Sequence, residues 1–278
     1  MNELEIEARG LTFHLVADGP DDGDPVLLLH GFPQNSREWD RVAPLLHAAG
    51  LRTYALDQRG YSPGARPAGV DAYTLDECAA DAAAVLDALS LAAVHVVGHD
   101  WGSLVAWQLA VDRPERVRTL TAVSVPHPAA FAGAVGSDPD QQRRSSYVTL
   151  FRQEGKAERV LLAEDARRLR AMLTGVGEDR VDLYAAPLAE EVALTATLNW
   201  YRAMRYDELA ATRPSNVPTT YVWSTGDLAV GRVAAQDCAR HVTGEYRFVT
   251  LDDVSHWIPD EAPDALAGAV VARAALGT

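Results

Sequence analysis

The sequence predicts an α/β fold in which a mostly parallel, eight-stranded sheet has helices on both faces and a long helical insert interrupts the chain. The short continuous apolar run 26–30 is typical of a strand buried on both faces of a parallel sheet, and 117–125 is expected to be another buried strand. Helical patterns alternate with these runs, which is the signature of strand–helix–strand units. Residues 129–212 break the alternation, with helical stretches only. We therefore expect 1–128 and 213–278 to form one core and 129–212 to form a lid inserted in it.

The expected strands follow in chain order. The first two, 3–9 and 11–17, read as an antiparallel hairpin with a turn near Arg9-Gly10. The other six are expected at 26–30, 52–57, 94–97, 117–125, 219–223 and 246–251.

The helices are expected between these strands and in the insert. Thr74 can cap a helix whose apolar residues, from Leu75 to Leu89, recur at helical spacing on one face. A second helix follows Gly102 and ends near Pro114. The remaining helices are expected at 37–49, 141–153, 158–173, 188–204, 233–241 and 259–275.

Length and charge limit the function classes. The chain has 278 residues, 48% of them hydrophobic, and 39 acidic against 25 basic residues give a net charge of −14. This balance disfavours nucleic acid and anionic membrane surfaces as partners. No apolar run approaches the roughly 18 residues of a membrane span. The N-terminus lacks a signal-peptide pattern, so we expect a cytoplasmic protein.

The stretch Gly98-His99-Asp100-Trp101-Gly102 has the spacing of a nucleophile elbow, a sharp turn between a strand and a helix. Its middle residue, Asp100, is ionised at neutral pH and needs no base for activation. A carboxylate attacks a carbon that carries a leaving group or belongs to a strained ring, and it leaves an alkyl ester on the enzyme. The alternative is that Asp100 merely caps the following helix.

Hydrolysis of such an ester needs a histidine and an acid, which follow an elbow nucleophile in the chain order acid, then histidine. Asp227 follows the strand 219–223, and His256 precedes the last helix. We expect Asp227 to orient His256 and His256 to take a proton from water. Asp252 or Asp253 is the alternative acid.

An oxyanion hole is also expected. The backbone N–H after the nucleophile, that of Trp101, is one donor. The second comes from the loop after the third strand, where Phe32 follows His30-Gly31. Gly31 would allow the close approach of the two segments, although His30-Gly31 could equally be a simple strand-ending turn.

Together the motifs resemble the soluble epoxide hydrolases of the α/β-hydrolase superfamily over nearly the whole chain. They are His30-Gly31-Phe32-Pro33, Asp57-Gln58-Arg59-Gly60-Tyr61, the 98–102 elbow, Asp227 and Ser255-His256-Trp257. The resemblance implies the α/β-hydrolase fold with a helical cap, conversion of an apolar epoxide to a vicinal diol, and no metal or organic cofactor.

In that family two lid tyrosines donate protons to the epoxide oxygen, because a phenol is neutral at pH 7. The segments around Tyr147 and around Asn199-Trp200-Tyr201-Arg202 resemble the tyrosine-bearing segments. Tyr147 and Tyr201 are thus expected to be catalytic and, with Phe32 and Trp101, to contact the substrate. Both could instead simply pack, and Tyr184 and Tyr206 are the spare candidates.

Other functions stay open at this stage. Haloalkane and haloacetate dehalogenases also use an elbow aspartate, but the former often place an Asn where this chain has Phe32. The latter carry arginines near the nucleophile, which residues 101–105 lack. The fold also hosts receptors and biosynthetic enzymes. The sequence is also compatible with a homodimer.

Overall fold

The computed structural model describes residues 2–277 and contains the eight expected strands in one sheet. They are β1 (Asn2–Ala8), β2 (Leu11–Asp18), β3 (Asp24–Leu29), β4 (Leu51–Leu56), β5 (Val94–His99), β6 (Val117–Val123), β7 (Thr219–Ser224) and β8 (Tyr246–Leu251). The order across the sheet is β1-β2-β4-β3-β5-β6-β7-β8. The β1–β2 and β2–β4 pairs are antiparallel and all other pairs are parallel, which confirms the predicted fold class.

Thirteen α-helices surround the sheet within residues 2–277. They are α1 (Ala43–Ala48), α2 (Leu75–Ala88), α3 (Trp101–Asp112), α4 (Pro128–Ser137), α5 (Pro139–Arg144), α6 (Val148–Phe151), α7 (Lys156–Met172), α8 (Glu178–Ala185), α9 (Glu191–Ala203), α10 (Tyr206–Ala210), α11 (Arg232–Asp237), α12 (Ile258–Glu261) and α13 (Pro263–Ala274). Short 3₁₀ segments, such as Ser36–Arg41 and Val70–Tyr73, join some of them. Thr74 caps α2, since its side chain accepts from the Glu77 amide at 3.3 Å. No helix of the described chain is long and apolar enough to cross a membrane.

The continuous apolar strands divide their side chains between two cores, one on each face of the sheet. Leu27 and Leu29 of β3 join the larger core with α2, α3 and the insert. Val26 and Leu28 join the smaller one, which includes residues of α1 and α13. Successive side chains point to opposite faces of a strand, so a strand buried on both faces favours apolar residues on both, as in β3. Burial of β3 on both faces therefore explains why its sequence is a continuous apolar run.

Every α-helix from α4 to α10 lies between β6 and β7, in the region where an insert is expected. The lengths of several helices differ from expectation. The expected helix 141–153 is two short helices, α5 and α6, and α4, α8 and α10 were not expected. The expected helix 158–173 is interrupted, because Ala163–Ala166 has non-helical backbone angles.

Two other predicted helices are also divided. The segment 37–49 is a 3₁₀ turn followed by α1, and α1 has a proline in its first turn. The final helix 259–275 is interrupted between α12 and α13, where Pro263 begins α13. Proline lacks an amide hydrogen and suits only the first turn of a helix, so it starts a new helix in each place.

Candidate active site

Asp100 lies in the turn between β5 and α3, with φ 51° and ψ −118°. This strained backbone is possible because the flanking glycines let neighbouring segments come very close. A Cβ atom on Gly98 would lie 2.2 Å from the carbonyl oxygen of Gly102. A Cβ on Gly102 would lie 2.0 Å from the carbonyl oxygen of Leu29 in β3. The two glycines of the motif are therefore required by the backbone contacts around the turn.

The loop after β3 holds the Asp100 carboxylate from the other side. The amide of Phe32 donates to Oδ1 of Asp100 at 2.9 Å. A Cβ on Gly31 would lie 2.4 Å from Cβ of Asp100, so only glycine allows this approach. Trp101 is the first residue of α3, where backbone N–H groups have no partner within the helix. Both predicted oxyanion donors are thus next to Asp100, and their catalytic role stays a prediction.

His256 lies between two carboxylates. Its Nε2 atom is 3.5 Å from Oδ2 of Asp100, and its Nδ1 atom is 3.0 Å from each carboxylate oxygen of Asp227. The alternative acids Asp252 and Asp253 are exposed in the loop after β8. The structure therefore brings together Asp100, His256 and Asp227 in the arrangement expected from their order in the chain.

Asp227 is almost completely buried and is held by more than its histidine. The amides of Ala229 and Val230 donate to its Oδ1 at 2.8 and 2.9 Å. Burial would raise the pKa of Asp227, but the charge of His256 and these hydrogen bonds lower it below its usual value. Asp227 is thus a fixed, ionised carboxylate directed at the imidazole.

The same charges act on His256. Burial alone would lower its pKa, but the carboxylates of Asp227 and Asp100 raise the pKa of His256 to about 10. In the resting site the imidazole is therefore protonated at neutral pH. This state depends on both neighbouring negative charges.

The two predicted tyrosines of the insert lie across from Asp100. Tyr201 of α9 contacts Phe32 and Trp101 edge-on, with ring centroids 5.4 and 5.0 Å apart. Tyr147, just before α6, has its ring 6.1 Å from that of Tyr201. Burial, with the nearby Asp100 charge, raises the pKa of both phenols, so both remain proton donors at neutral pH.

These groups share one cavity of about 440 Å³, a volume typical of a small-molecule site. Its lining is mainly apolar and consists of Phe32, Asp100, Tyr147, Leu150, Phe151, Leu161, Arg168, Ala171, Met172, Tyr201, Leu228, Ala229, His256 and Trp257. Trp101 borders a smaller adjoining space with Asp100, Tyr147 and Tyr201.

The two alternative tyrosines, Tyr184 and Tyr206, do not line this cavity. Tyr184 is fully buried against Arg180 and Asp260, and Tyr206 lies beside Arg152.

Sequence reasoning missed a buried pair behind His256. His99 has Nε2 3.0 Å from the His256 carbonyl oxygen and Nδ1 3.2 Å from Oε2 of Glu38. Burial lowers the pKa of His99 to about 4 and raises the pKa of Glu38 well above its usual value. Both are therefore neutral, and we assign the Glu38 carboxyl as donor to Nδ1 and His99 Nε2–H as donor to the carbonyl. In the sequence, only the position of His99 inside the elbow motif indicated that it could belong to the site.

A second missed feature, here called the Asp260 cluster, comprises Asp260, Gln34, Arg180 and Tyr184, all buried. Asp260 accepts from Gln34 Nε2 at 2.6 Å, from Arg180 Nε at 2.5 Å and from the Tyr184 hydroxyl at 3.1 Å. Gln34 lies two residues after Phe32, Asp260 four after His256, and Arg180 in α8 of the insert. The cluster therefore connects both catalytic loops to the insert.

Residues 2–277 contain no group of three or more His, Cys, Asp or Glu side chains arranged to hold a metal ion. This chain's own side chains place a carboxylate, a buried histidine–acid pair and two phenols around one apolar cavity. This combination suits attack on an electrophilic carbon whose leaving oxygen needs a proton.

Comparisons with known proteins agree with this geometry. A family model described as the alpha/beta hydrolase fold matches residues 24–263, so the chain belongs to the alpha/beta hydrolase fold family. Within the family its resemblance to epoxide hydrolases is confirmed by several relatives. The AB hydrolase superfamily protein YfhM of Bacillus subtilis is 35% identical over 268 residues, which cover 93% of this chain and 92% of that protein. Epoxide hydrolase 4 of Mus musculus is 30% identical over 278 residues, 96% of this chain and 77% of that protein.

The fold is also similar to that of a solved structure. The crystal structure of epoxide hydrolase A from Mycobacterium thermoresistibile superposes with a TM-score of 0.85 at 27% identity, covering 98% of this chain and 97% of that one.

Proposed function

We propose that this chain hydrolyses epoxides to vicinal diols through a covalent ester on Asp100. The observation that carries the proposal is that the Asp100 carboxylate and the phenols of Tyr147 and Tyr201 line one apolar cavity. An epoxide between them would have its carbon at the nucleophile and its oxygen at the donors. The epoxide hydrolase names of the relatives support the same reaction class.

In the first step, Asp100 attacks an epoxide carbon. Oδ1 is held by the Phe32 amide, so Oδ2 forms the new C–O bond. The bond from that carbon to the epoxide oxygen breaks, and the oxygen takes a proton from Tyr147 or Tyr201. The phenolate that remains recovers a proton from the His256 imidazolium, which leaves the imidazole neutral.

Formation of the ester converts His256 into the base that the second step requires. Ester formation removes the negative charge of Asp100, one of the two charges that raise the pKa of His256. The pKa of the imidazole then falls, and His256 becomes a base oriented by Asp227. It takes a proton from water while the hydroxide attacks the ester carbonyl carbon. The Phe32 and Trp101 amides hold the oxyanion at Oδ1. Collapse releases the diol, which takes the carboxyl proton and leaves Asp100 ionised beside protonated His256.

In this proposal, residues 129–212 act as the lid and 1–128 with 213–278 as the core. The lid supplies both proton donors and much of the apolar wall, while the core supplies the nucleophile, the acid and the base.

Single turnover in H₂¹⁸O tests the mechanism. With excess enzyme and styrene oxide, we expect diol formation and ¹⁸O in the peptide that contains Asp100, because water attacks the ester carbonyl. The variant His256→Gln should instead retain a mass increase equal to the epoxide. Label in the diol alone would refute the ester, and halide release from 1-bromobutane or fluoroacetate without any diol would assign a dehalogenase.

A further inference from the structure

The second half of α7 presents one face to the active-site cavity. Arg168, Ala171 and Met172 all line the cavity, and they are spaced at i, i+3 and i+4, which places them on one side of a helix. The break at Ala163–Ala166 separates this half from the first part of α7. Arg168 therefore belongs to the cavity wall although it is exposed to solvent.

The arginines around Arg168 are already engaged. Arg167 pairs with Glu164 at 2.9 Å, and Arg170 pairs with Asp182. Both lie off the face that lines the cavity. The side chain of Arg168, in contrast, makes no hydrogen bond, ion pair or ring contact with any residue in the range 2–277 that the structure describes. In a chain with 39 acidic and 25 basic residues, this cation has been left without an acidic partner at the cavity.

The neighbouring rim is apolar. Leu228 lines the same cavity and is 73% exposed, an unusual position for a large aliphatic side chain. The cavity thus combines an apolar wall with one cationic group at its solvent-facing edge. A ligand that matches both has an apolar body and an anionic end.

We propose that Arg168 binds an anionic group at the distal end of the substrate, so that this chain prefers epoxides whose hydrocarbon body carries a carboxylate. The inference rests on the proposed function, because it takes the reacting carbon to lie at Asp100. The planar guanidinium can hold a carboxylate with two parallel hydrogen bonds. Arg168 thereby selects the substrate and takes no part in the chemistry.

The test compares ω-epoxy carboxylic acids of graded chain length with the primary alcohols of the same length. For the wild type we expect kcat/KM to favour the acid by about fivefold at the length that spans from Asp100 to Arg168, as for a solvent-exposed ion pair. Arg168→Ala should remove this preference, and Arg168→Glu should reverse it. For each substitution at residue 168, kcat/KM for the alcohols should change less than kcat/KM for the acids of the same length.

Arg167→Ala is the matched control, because it removes a neighbouring exposed arginine that does not line the cavity. It should keep the wild-type preference. Equal preferences in wild type, Arg168→Ala and Arg168→Glu would overturn the inference. So would a preference that Arg167→Ala removes as strongly, since that would be a general effect of surface charge.

A binding measurement separates this inference from the proposed reaction. The ω-alkenoic acids and alkenols of the same lengths lack the epoxide and cannot react with Asp100. Their affinities, followed by tryptophan fluorescence, should show the same dependence on residue 168 whether or not any epoxide is turned over. Tighter binding of the acid that survives Arg168→Glu would refute the role of Arg168, whereas failure of turnover alone would refute only the epoxide hydrolase.

Discussion

Asp100 and Tyr201 face the same cavity, but different kinds of structure hold the two side chains. Backbone constraints determine the position of Asp100. They are a positive φ, two glycines without room for a Cβ, and an amide that donates to the carboxylate. Tyr201 is held by ring packing against Phe32, Trp101 and Phe151. Backbone geometry therefore holds the core side of the site, whereas packing between side chains holds the insert side.

We expect the largest loss of activity from a substitution on the core side of the site, at Asp100. Asp100→Asn keeps the shape of the side chain but removes the nucleophile, so we expect a loss in kcat of about 10⁴-fold or more. Circular dichroism and thermal unfolding should show an intact fold. A variant that retains more than a few per cent of activity would show that Asp100 is not the nucleophile.

Removal of the two phenol proton donors in the insert, Tyr147 and Tyr201, should reduce activity less. Tyr201→Phe and Tyr147→Phe should each slow formation of the ester about tenfold or more, and the double variant should lose most activity, as expected for general acids. The phenyl rings keep their packing, so the melting temperature should hardly change. Stopped-flow tryptophan fluorescence would measure the rate. Unchanged ester formation in the double variant would place the proton donor elsewhere.

The Asp260 cluster joins the two regions, and breaking it should cost stability. Arg180→Met leaves the Asp260 carboxylate buried without its cation, which costs about 3 to 5 kcal/mol of unfolding free energy. Arg170→Met is the matched control, because its ion pair with Asp182 is exposed and is worth about 1 kcal/mol or less. Urea unfolding measures both. Equal losses of unfolding free energy in the two variants would show that the Asp260 cluster stabilises the fold no more than a surface ion pair does.

The charges around His256 predict a pH dependence of stability. Because folding raises the pKa of His256 from 6.5 to about 10, protonated His256 stabilises the folded state. This contribution is fully present below about pH 6.5 and is lost as the pH rises through about 10. The difference in unfolding free energy between wild type and His256→Gln should therefore shrink over this range. A difference that stays constant would contradict a raised pKa.

The smallest effect is expected at Glu38. Since burial keeps its carboxyl neutral, Glu38→Gln replaces one neutral hydrogen-bond donor to His99 with another. Activity and melting temperature should stay within about twofold and a few degrees of wild type, while Glu38→Ala, which removes the donor and leaves a void, should lower both. A severe loss in Glu38→Gln would show that the buried carboxyl is ionised.

The elbow, the order of Asp227 and His256, and the sheet were predictable because each depends on residues close together in the chain. Glycines around Asp100 encode a backbone turn, and strands buried on both faces are mainly apolar on both. The resemblance of the segments around Tyr147 and Tyr201 to a known family located the candidate donors, although nothing local required them to face Asp100. The role of each group stays a prediction until it is measured.

The helix breaks in the insert and the partners of buried polar groups were not predictable. The sequence alone determined the fold class, the elbow and the candidate nucleophile, acid and histidine, because backbone geometry and hydrophobic periodicity act over a few residues. Only the tertiary structure decided that Glu38 and His99 support His256, that Asp260 connects the insert to both catalytic loops, and that Arg168 lines the cavity without a partner. These features arise where segments far apart in the chain meet, and burial there sets both the protonation state and the available partners.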